Sequence, residues 1–558
     1  MDPFVRSLLT RSQEYLTVSD YVQIYDSTLR DGSQAEDIAF SLDDKLLITQ
    51  RLDDLSVDYV EGGWPNPTNP KDLEYFVRAS KLDLSHTRIA AFGSTRRAGN
   101  SPEEDDTLNT LLGAETEVVT IFGKTWDLHV RDVLRVDLDQ NVALIEDSVA
   151  YLKSHGREVI YDAEHFFDGY KADPDYALRT LKVAENGGAD RLVLCDTNGG
   201  TMPGELREII LAIRESLTVA FGVHAHNDAG MGVANSVIAV ELGAGHVQGT
   251  FNGYGERCGN ANLCGVIPNL QIKLNKHWKG ADRLGDLMEF SRFLSEIANV
   301  YHDHRQPYVG ESAFAHKGGV HIDAMYKEPS SYEHCEPEVV GNQRRFLLSE
   351  QSGGATVAAK LEEAKLDHLI PGLDKRHPSV VELLQRVKQL ENEGYMFEGA
   401  EASFEILARK ALGSFTDPFR LIGFRTINRK SDSGTEVEAI VKLEIDGRLY
   451  HTVADGDGPV NALDAALRQA LEKEYPILHD VHLEDYKVRV LSGRDGTAAK
   501  VRVLIESSDG KRVWSTIGVS ENIIDASWLA LVDSLSYKLM IEGKLRGESV
   551  LPKGEAAD

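Results

Sequence analysis

Apolar and polar positions in the first half of the chain alternate between two periodicities. Short apolar runs, typical of buried parallel strands, are separated by stretches with i, i+3/i+4 apolar spacing, typical of amphipathic helices. The helical spacing is clear in KLLITQRLDDL and LREIILAIRESL. The predicted strands lie at 22–26, 57–62, 88–92, 117–122, 158–163, 191–195, 219–224 and 246–251.

Eight strand and helix units of this size predict an α/β fold in the form of a TIM (β/α)8 barrel over residues 21–285, after an N-terminal segment at 1–20. A doubly wound parallel sheet is the alternative, but such a sheet rarely contains eight regular repeats. In a barrel the carboxyl ends of all strands open at one mouth, where active sites lie. Polar residues that follow different strands are therefore expected to meet there.

The rest of the chain shows two further patterns. Residues 286–415 predict helical linker subdomains, with a loop-rich interval at 303–345. Residues 416–545 predict a C-terminal α+β domain with D-G turns at 446–447 and 509–510. Its segment VEAIVKLEIDG resembles KVRVLIESSDG about 63 residues later, and each copy predicts a β-hairpin followed by a helix. The polar tail at 546–558 is expected to be flexible.

Composition narrows the class of protein. The 558 residues are 42% apolar with 17 prolines, which indicates a globular chain of more than one domain. A formal charge of −29 argues against nucleic acid or anionic membranes as partners. The N-terminus has no hydrophobic targeting region and no 18-residue apolar run occurs, so we expect a cytoplasmic protein. The four cysteines lack C-x-x-C spacing, and Cys195 is expected to be buried.

The strongest chemical signal combines two distant segments. His224 and His226 are two residues apart in VAFGVHAHND, so a strand would turn both imidazoles to one face. Asp31, in DSTLRDG after the first strand, completes a His-His-carboxylate set. Such mixed nitrogen and oxygen ligands suit a divalent metal that leaves positions open for substrate.

Each motif also has a simpler explanation. Arg30-Asp31 is by itself compatible with a surface turn or a salt bridge, and two histidines on a strand are often structural. NGYGERCGNANL could be a tight turn into a helix with Asn260 as its cap, and Glu164 could be a hydrogen-bonded carboxylate. The joint occurrence of these residues at strand ends favours a common site, because the simpler explanations would place them independently.

DSTLRDG, HAHND and NGYGERCGN together resemble the metal-dependent Claisen-condensing acyltransferases of the TIM-barrel metallolyase superfamily. This family includes 2-isopropylmalate, homocitrate and citramalate synthases, and the resemblance covers nearly the whole chain. EGGWP with NPKD at 61–72, and YDAEHFFDGYK at 161–171, are most similar to the citramalate-forming branch.

The resemblance implies roles for individual residues. The implied metal ligands are Asp31, His224, His226 and Asn260. Arg30 and Thr197 would bind the 2-oxo acid, Arg30 also acting in catalysis, and Glu164 would be the base or part of its relay. His321 and Tyr332 would be catalytic residues that reach the neighbouring protomer, which implies a homodimer. The ends of strands 3 to 5 hold further candidates for substrate binding and specificity: Phe92, Ser94, Phe122 and Asp162.

The implied reaction joins acetyl-CoA to a 2-oxo acid, which is pyruvate in the citramalate-forming branch. The metal would be Mg²⁺ or Mn²⁺, with Zn²⁺ as a further candidate. The C-terminal domain would be regulatory and bind an end-product amino acid, expected to be isoleucine, although it could serve only as a dimerisation platform. Three other functions stay open: a 2-isopropylmalate synthase, a hydroxymethylglutaryl-CoA lyase, and an amino-acid sensor with an inactive barrel.

Overall fold

The computed structural model describes residues 20–348, 352–432, 434–491 and 499–545. Within these ranges, eight parallel strands close into a barrel in sequence order, with β1 pairing to both β2 and β8. The predicted TIM barrel is therefore confirmed. Its strands are β1 Gln23–Asp26, β2 Tyr59–Gly63, β3 Arg88–Ser94, β4 Val118–Lys124, β5 Glu158–Glu164, β6 Arg191–Asp196, β7 Phe221–Ala225 and β8 His246–Gly249.

Helices connect successive barrel strands, and each predicted strand overlaps an observed one. The first helix begins with a capping box in which Ser41 and Asp44 satisfy each other's backbone N–H groups. The helices of this part are α1 Leu42–Asp54, α2 Pro70–Ala79, α3 Asp106–Gly113, α4 Leu138–Ser154, α5 Phe166–Ala172, α6 Pro174–Asn186, α7 Pro203–Ile213, α8 Gly232–Glu241, α9 Leu263–Pro268 and α10 Leu287–Ile297.

The barrel has two apolar layers, because side chains of a strand alternate between its faces. One large cluster includes outward-facing strand residues such as Val119 and Val223 together with apolar helix residues such as Leu152. A smaller separate cluster contains Tyr25, Tyr59, Ala90, Val118, Ile160, Val193 and Cys195. Cys195 is buried, as predicted. A packed interior means that substrates can enter only at the ends of the strands.

The chain divides into two compact units, Met1–Phe314 with Cys335–Gln343, and Ala315–His334 with Arg344–Asp558. The second unit begins with a short strand, β9 Ala315–His316, which pairs in parallel with β10 Arg345–Phe346. Its first helices are α11 Gly319–Lys327, α12 Gly354–Glu363, α13 Pro378–Glu393 and α14 Glu401–Ala411. The helix α11 lies inside the interval predicted to be loop-rich, where glycines obscure its periodicity. The predicted domain boundaries at 285 and 415 stay predictions.

The C-terminal domain contains two copies of one module. The first copy is β11 Arg420–Ser431, β12 Gly434–Ile445, β13 Arg448–Asp455 and α15 Pro459–Leu471; the second is β14 His482–Val490, β15 Val501–Ser508, β16 Val513–Ser520 and α16 Ile523–Ile541. Each module has a three-stranded antiparallel sheet, so the prediction of a hairpin plus a helix was incomplete. The first strand was missed because a strand such as β14 is almost entirely exposed and lacks an apolar alternation.

Two sequence predictions fall outside the described residues: the N-terminal segment, apart from Asp20, and the tail at 546–558. In the part of the chain that the structure describes, no helix is both long enough and apolar enough to cross a membrane.

Candidate metal centre and active site

Three buried polar side chains meet at the mouth of the barrel. Asp31 lies in the turn after β1, His224 lies in β7, and His226 follows β7 directly. Asp31 Oδ2 is 3.3 Å from His224 Nε2 and 3.9 Å from His226 Nε2, and the two Nε2 atoms are 3.4 Å apart. Among the described residues, this is the one group of three or more metal-type side chains whose ligand atoms lie within 4.8 Å of one another.

Two members of this group, Asp31 and His226, have the charge state that binds a metal, whereas His224 has to give up its proton first. Burial favours neutral Asp31, but the charge of Arg30 and the hydrogen bond from His224 outweigh it and hold the pKa of Asp31 well below its usual range. Burial, assisted by His224, lowers the pKa of His226 to about 3, so that its imidazole is neutral. Burial opposes protonation of His224, but its hydrogen bond with Asp31 outweighs this effect and raises its pKa. An ionised carboxylate and a neutral imidazole are the forms that bind metals.

A hydrogen-bonded chain orients His224. Its Nδ1–H donates to Gln248 Oε1 at 2.8 Å, and Gln248 Nε2 donates to Asp162 Oδ1 at 2.9 Å. This contact turns Nε2 of His224 towards Asp31 and His226. Burial raises the pKa of Asp162 to about 7. The contact gives Asp162 a supporting position, and its predicted role in substrate binding stays a prediction.

Asn260 offers an amide oxygen as a fourth candidate ligand. Its backbone forms a bridge with His226, and its side-chain Nδ2 donates to Tyr254 O at 3.1 Å. Its Oδ1 is buried and accepts no hydrogen bond from any described residue. The alternative role of Asn260 as a helix cap is wrong, because Asn262 caps α9 by accepting the Cys264 N–H at 2.9 Å.

Arg30 is held rigidly beside Asp31. Its Nε and Nη2 donate to the two carboxylate oxygens of Glu61 at 3.0 and 3.2 Å. Its Nη1 is 3.5 Å from Asp31 Oδ1, and its guanidinium carbon lies 3.7 Å from the centroid of the Phe92 ring. Glu61, which is fully buried in the middle of β2, thus fixes the Arg30 cation beside Asp31.

Glu164 and Thr197 lie at neighbouring strand ends of the same mouth. Glu164 ends β5 and forms an ion pair with Lys124 at the end of β4. Thr197 follows β6, and its Oγ1 accepts the backbone N–H of His165 at 2.9 Å, which leaves its hydroxyl proton available to a substrate oxygen. His165 packs against the His129 ring at a centroid distance of 4.3 Å.

His321 and Tyr332 belong to the second compact unit. Their rings stack with centroids 4.3 Å apart and an interplanar angle of 27°. Tyr332 is 46% exposed, and His321 is exposed as well. Two exposed stacked rings form a surface that can meet another molecule, and their catalytic roles stay predictions.

Sequence reasoning missed Glu61, Gln248, Lys124 and His165 as members of the site. Glu61 lies in EGGWP, a segment singled out only for its family resemblance. The position of Gln248 could have been inferred from the sequence. It lies two residues after His246 in β8, so both side chains point to the same face of the strand. The partners of these residues lie on other strands, so local spacing could not identify them.

The observed group fits a divalent metal. It supplies two imidazole nitrogens, one carboxylate and the amide oxygen of Asn260, which has no hydrogen-bond partner among the described residues, and the contact with Gln248 orients His224. Such a donor set leaves coordination positions for a substrate, which is typical of catalytic rather than structural sites.

Comparisons with known proteins identify the class. A family described as HMGL-like matches residues 21–294, a homocitrate synthase post-HMGL domain-like family matches 308–394, and the LeuA allosteric (dimerisation) domain matches 398–539. The barrel, its metal-type group and these matches define an acyltransferase with a divalent-metal site, and a C-terminal domain of a dimerising, allosteric kind.

Relatives that match nearly the whole length of this chain show which family it belongs to. The (R)-citramalate synthase of Geobacter sulfurreducens is 53% identical over 94% of this chain and 99% of its own. That of Aquifex aeolicus is 50% identical over 94% of this chain and 98% of its own. A probable 2-isopropylmalate synthase from Methanopyrus kandleri is 30% identical over 92% of this chain and 97% of its own. The chain belongs to the (R)-citramalate synthase family of amino-acid biosynthesis.

Proposed function

We propose that this enzyme condenses acetyl-CoA with pyruvate and water to form (R)-citramalate and CoA. The observation that carries the proposal is the juxtaposition of the Asp31, His224 and His226 group with a fixed Arg30 and with Glu164 at one barrel mouth. The choice of pyruvate is supported by the relatives, which are named (R)-citramalate synthases at 44–53% identity.

In this proposal, Arg30 and Thr197 orient the 2-oxo acid. The guanidinium of Arg30 is fixed by Glu61, so its remaining N–H groups can donate to the carboxylate or keto oxygen without a change of conformation. The Thr197 hydroxyl donates to the substrate carboxylate. When bound to this group, a divalent metal would polarise the keto group as a Lewis acid; the carboxylate and amide oxygens suit Mg²⁺ or Mn²⁺, and the two imidazoles keep Zn²⁺ as a further candidate.

Glu164 is the proposed base. Its carboxylate takes a proton from the methyl group of acetyl-CoA, and the resulting carbanion attacks the keto carbon of pyruvate. A carbon–carbon bond forms, the keto double bond opens, and the new oxyanion beside Arg30 becomes a hydroxyl group on protonation. Water then attacks the thioester, the carbon–sulfur bond breaks, and CoA leaves as the thiol while the carboxylate product releases a proton.

Pyruvate is expected to be the preferred 2-oxo acid. With saturating acetyl-CoA, kcat/KM for pyruvate should exceed that for 2-oxoisovalerate by at least about tenfold, since one methylene is worth roughly 10- to 200-fold in a fitted pocket. Release of CoA, followed with a thiol reagent, measures both substrates in the same assay. A preference for 2-oxoisovalerate would show that the enzyme is a 2-isopropylmalate synthase instead.

We propose that the C-terminal domain binds isoleucine and inhibits the condensation. The proposal is supported by the LeuA allosteric (dimerisation) match over 398–539 and by the two related modules, which give the domain paired loops at 456–458 and 521–522. Isoleucine at saturation should lower the rate at subsaturating pyruvate by about fivefold or more, within the usual range of allosteric coupling.

Leucine serves as the matched control for this prediction, because it has the same composition and charge as isoleucine but a different branch point. It is expected to inhibit much less. Equal inhibition by both amino acids, or none by isoleucine, would refute the assignment. A homodimer and a cytoplasmic location complete the proposal, and sedimentation of the full chain tests the dimer.

A further inference from the structure

Three aromatic rings stand side by side at the barrel mouth and are called here the aromatic wall: Trp64, Phe92 and Phe122. Trp64 follows β2 directly, while Phe92 and Phe122 lie near the ends of β3 and β4. The two phenyl rings stack with centroids 5.5 Å apart and an interplanar angle of 22°. The Trp64 indole meets both edge-on, at 5.7 Å from Phe92 and 5.6 Å from Phe122.

Both ends of the aromatic wall carry residues of the proposed reaction. The Arg30 guanidinium lies over the Phe92 ring at 3.7 Å. At the other end, Lys124 Nζ lies 5.3 Å from the centroid of Phe122 and forms the ion pair with Glu164. The wall therefore runs from the group that anchors the 2-oxo acid to the group that deprotonates acetyl-CoA. Under the proposed function the two substrates join between these groups, which places the substituent on the keto carbon beside this row of rings.

The backbone that carries Trp64 is tied to the barrel by hydrogen bonds. The Trp64 backbone N–H donates to Asp72 Oδ2 at 3.0 Å, and the other Asp72 oxygen forms a buried ion pair with Lys45 at 2.5 Å. Lys45 also donates to the carbonyl of Gly62 at 3.0 Å. Gly63, at φ +150°, lets the Asp72 carboxyl approach so closely that a Cβ there would come within 2.6 Å of it. These contacts fix the backbone at Trp64, and the ring itself packs against Phe92 and Phe122, so a larger substrate would have to displace a ring anchored at both ends.

We propose that Trp64 sets the upper size limit for the alkyl group of the 2-oxo acid and so selects pyruvate over branched 2-oxo acids. Trp64 and Phe122 are only partly buried, which leaves their surfaces available to a substrate at the mouth. A methyl group fits against a rigid wall of rings, whereas an isopropyl group would have to displace a ring that is in contact on two sides. The inference rests on the proposed function, because it concerns the 2-oxo acid of that reaction.

Trp64→Ala is expected to raise the ratio of kcat/KM for 2-oxoisovalerate to that for pyruvate by about tenfold or more. Trp64→Phe, which keeps a smaller ring, should shift the ratio in the same direction by less. The rates are measured by CoA release for pyruvate, 2-oxobutanoate and 2-oxoisovalerate. The matched control is Trp126→Ala, because Trp126 lies at the same mouth but packs on His129 and His165 instead of the wall. Its ratio should stay within about twofold of the original enzyme.

The outcomes separate the inference from the proposed function. The ratio for the unchanged enzyme tests the preference for pyruvate, and the change of that ratio tests Trp64. An unaltered ratio in both Trp64 variants, or an equal change in Trp126→Ala, would overturn the inference. If Trp64→Ala proves too unstable to assay, Trp64→Phe decides. In that variant the inhibition constant of 2-oxoisovalerate against pyruvate is also measured, and it should fall if the pocket now accepts a larger alkyl group.

Discussion

Asp31→Asn is expected to lower kcat/KM by about three orders of magnitude and to weaken binding of a divalent metal at the same time. Asp31 is the only carboxylate in the group with His224 and His226, so the variant removes the negative charge that a metal cation requires. A Lewis acid stabilises the transition state of a carbonyl addition by several kcal/mol. The expected loss of three orders of magnitude in kcat/KM corresponds to about 4 kcal/mol. Titration with Mn²⁺ measures the binding, and CoA release measures turnover.

Asp26→Asn is the matched control for this experiment, because Asp26 lies five residues earlier in the same DSTLRDG segment. Its Oδ2 accepts the Thr28 hydroxyl at 2.6 Å and its Oδ1 accepts the Thr28 backbone N–H at 3.2 Å, and the amide oxygen of Asn can keep one of these two bonds. Burial raises the pKa of Asp26 to about 7, so a neutral side chain is already tolerated there. We expect this variant to keep its metal and most of its activity. Full activity of Asp31→Asn without bound metal would contradict the ligand assignment.

Glu164→Gln is expected to lower kcat by about 10²- to 10⁴-fold, the usual contribution of a general base, while metal binding is retained. The amide has nearly the same size as the carboxylate but cannot accept the methyl proton of acetyl-CoA. The measurement combines the initial rate of CoA release with Mn²⁺ titration of the same preparation. Loss of turnover with intact metal binding would also exclude the alternative of a sensor with an inactive barrel.

Glu158→Gln provides the control on the same strand. Glu158 begins β5, and its carboxylate accepts from Tyr59 and Arg88, away from the mouth. The substitution Glu158→Gln should therefore change kcat by no more than a few fold. If Glu158→Gln and Glu164→Gln lowered kcat equally, the effect would reflect a disturbed strand, and Glu164 would lose its assignment as the base.

Local sequence patterns were sufficient for the barrel. The apolar runs around Val119 and Val223 report burial on both faces of a strand, and the spacing of HAHND places two imidazoles on one face regardless of what surrounds them. The pairing of Asp31 with His224 followed from the barrel rule that all carboxyl ends share one mouth. The structure brings Asp31 Oδ2 to 3.3 Å from His224 Nε2.

Apolar periodicity failed to predict elements whose side chains do not alternate between buried and exposed positions. The exposed strand β14 has no apolar periodicity, and it forms because its backbone pairs with β15. Helix α11 is short and begins among glycines, so its hydrogen bonds depend on tertiary packing more than on helix propensity.

The sequence by itself determined the fold class and pointed to Asp31, His224 and His226 as candidate metal ligands, because these depend on residue type, on spacing along a strand and on the shared mouth of a barrel. Only the tertiary structure decided which residues support them. Glu61 reaches Arg30 from another strand, Gln248 orients His224 from the next one, and Trp64 joins a wall built from three strands. Such contacts arise from closure of the barrel, which brings together residues that no local periodicity relates.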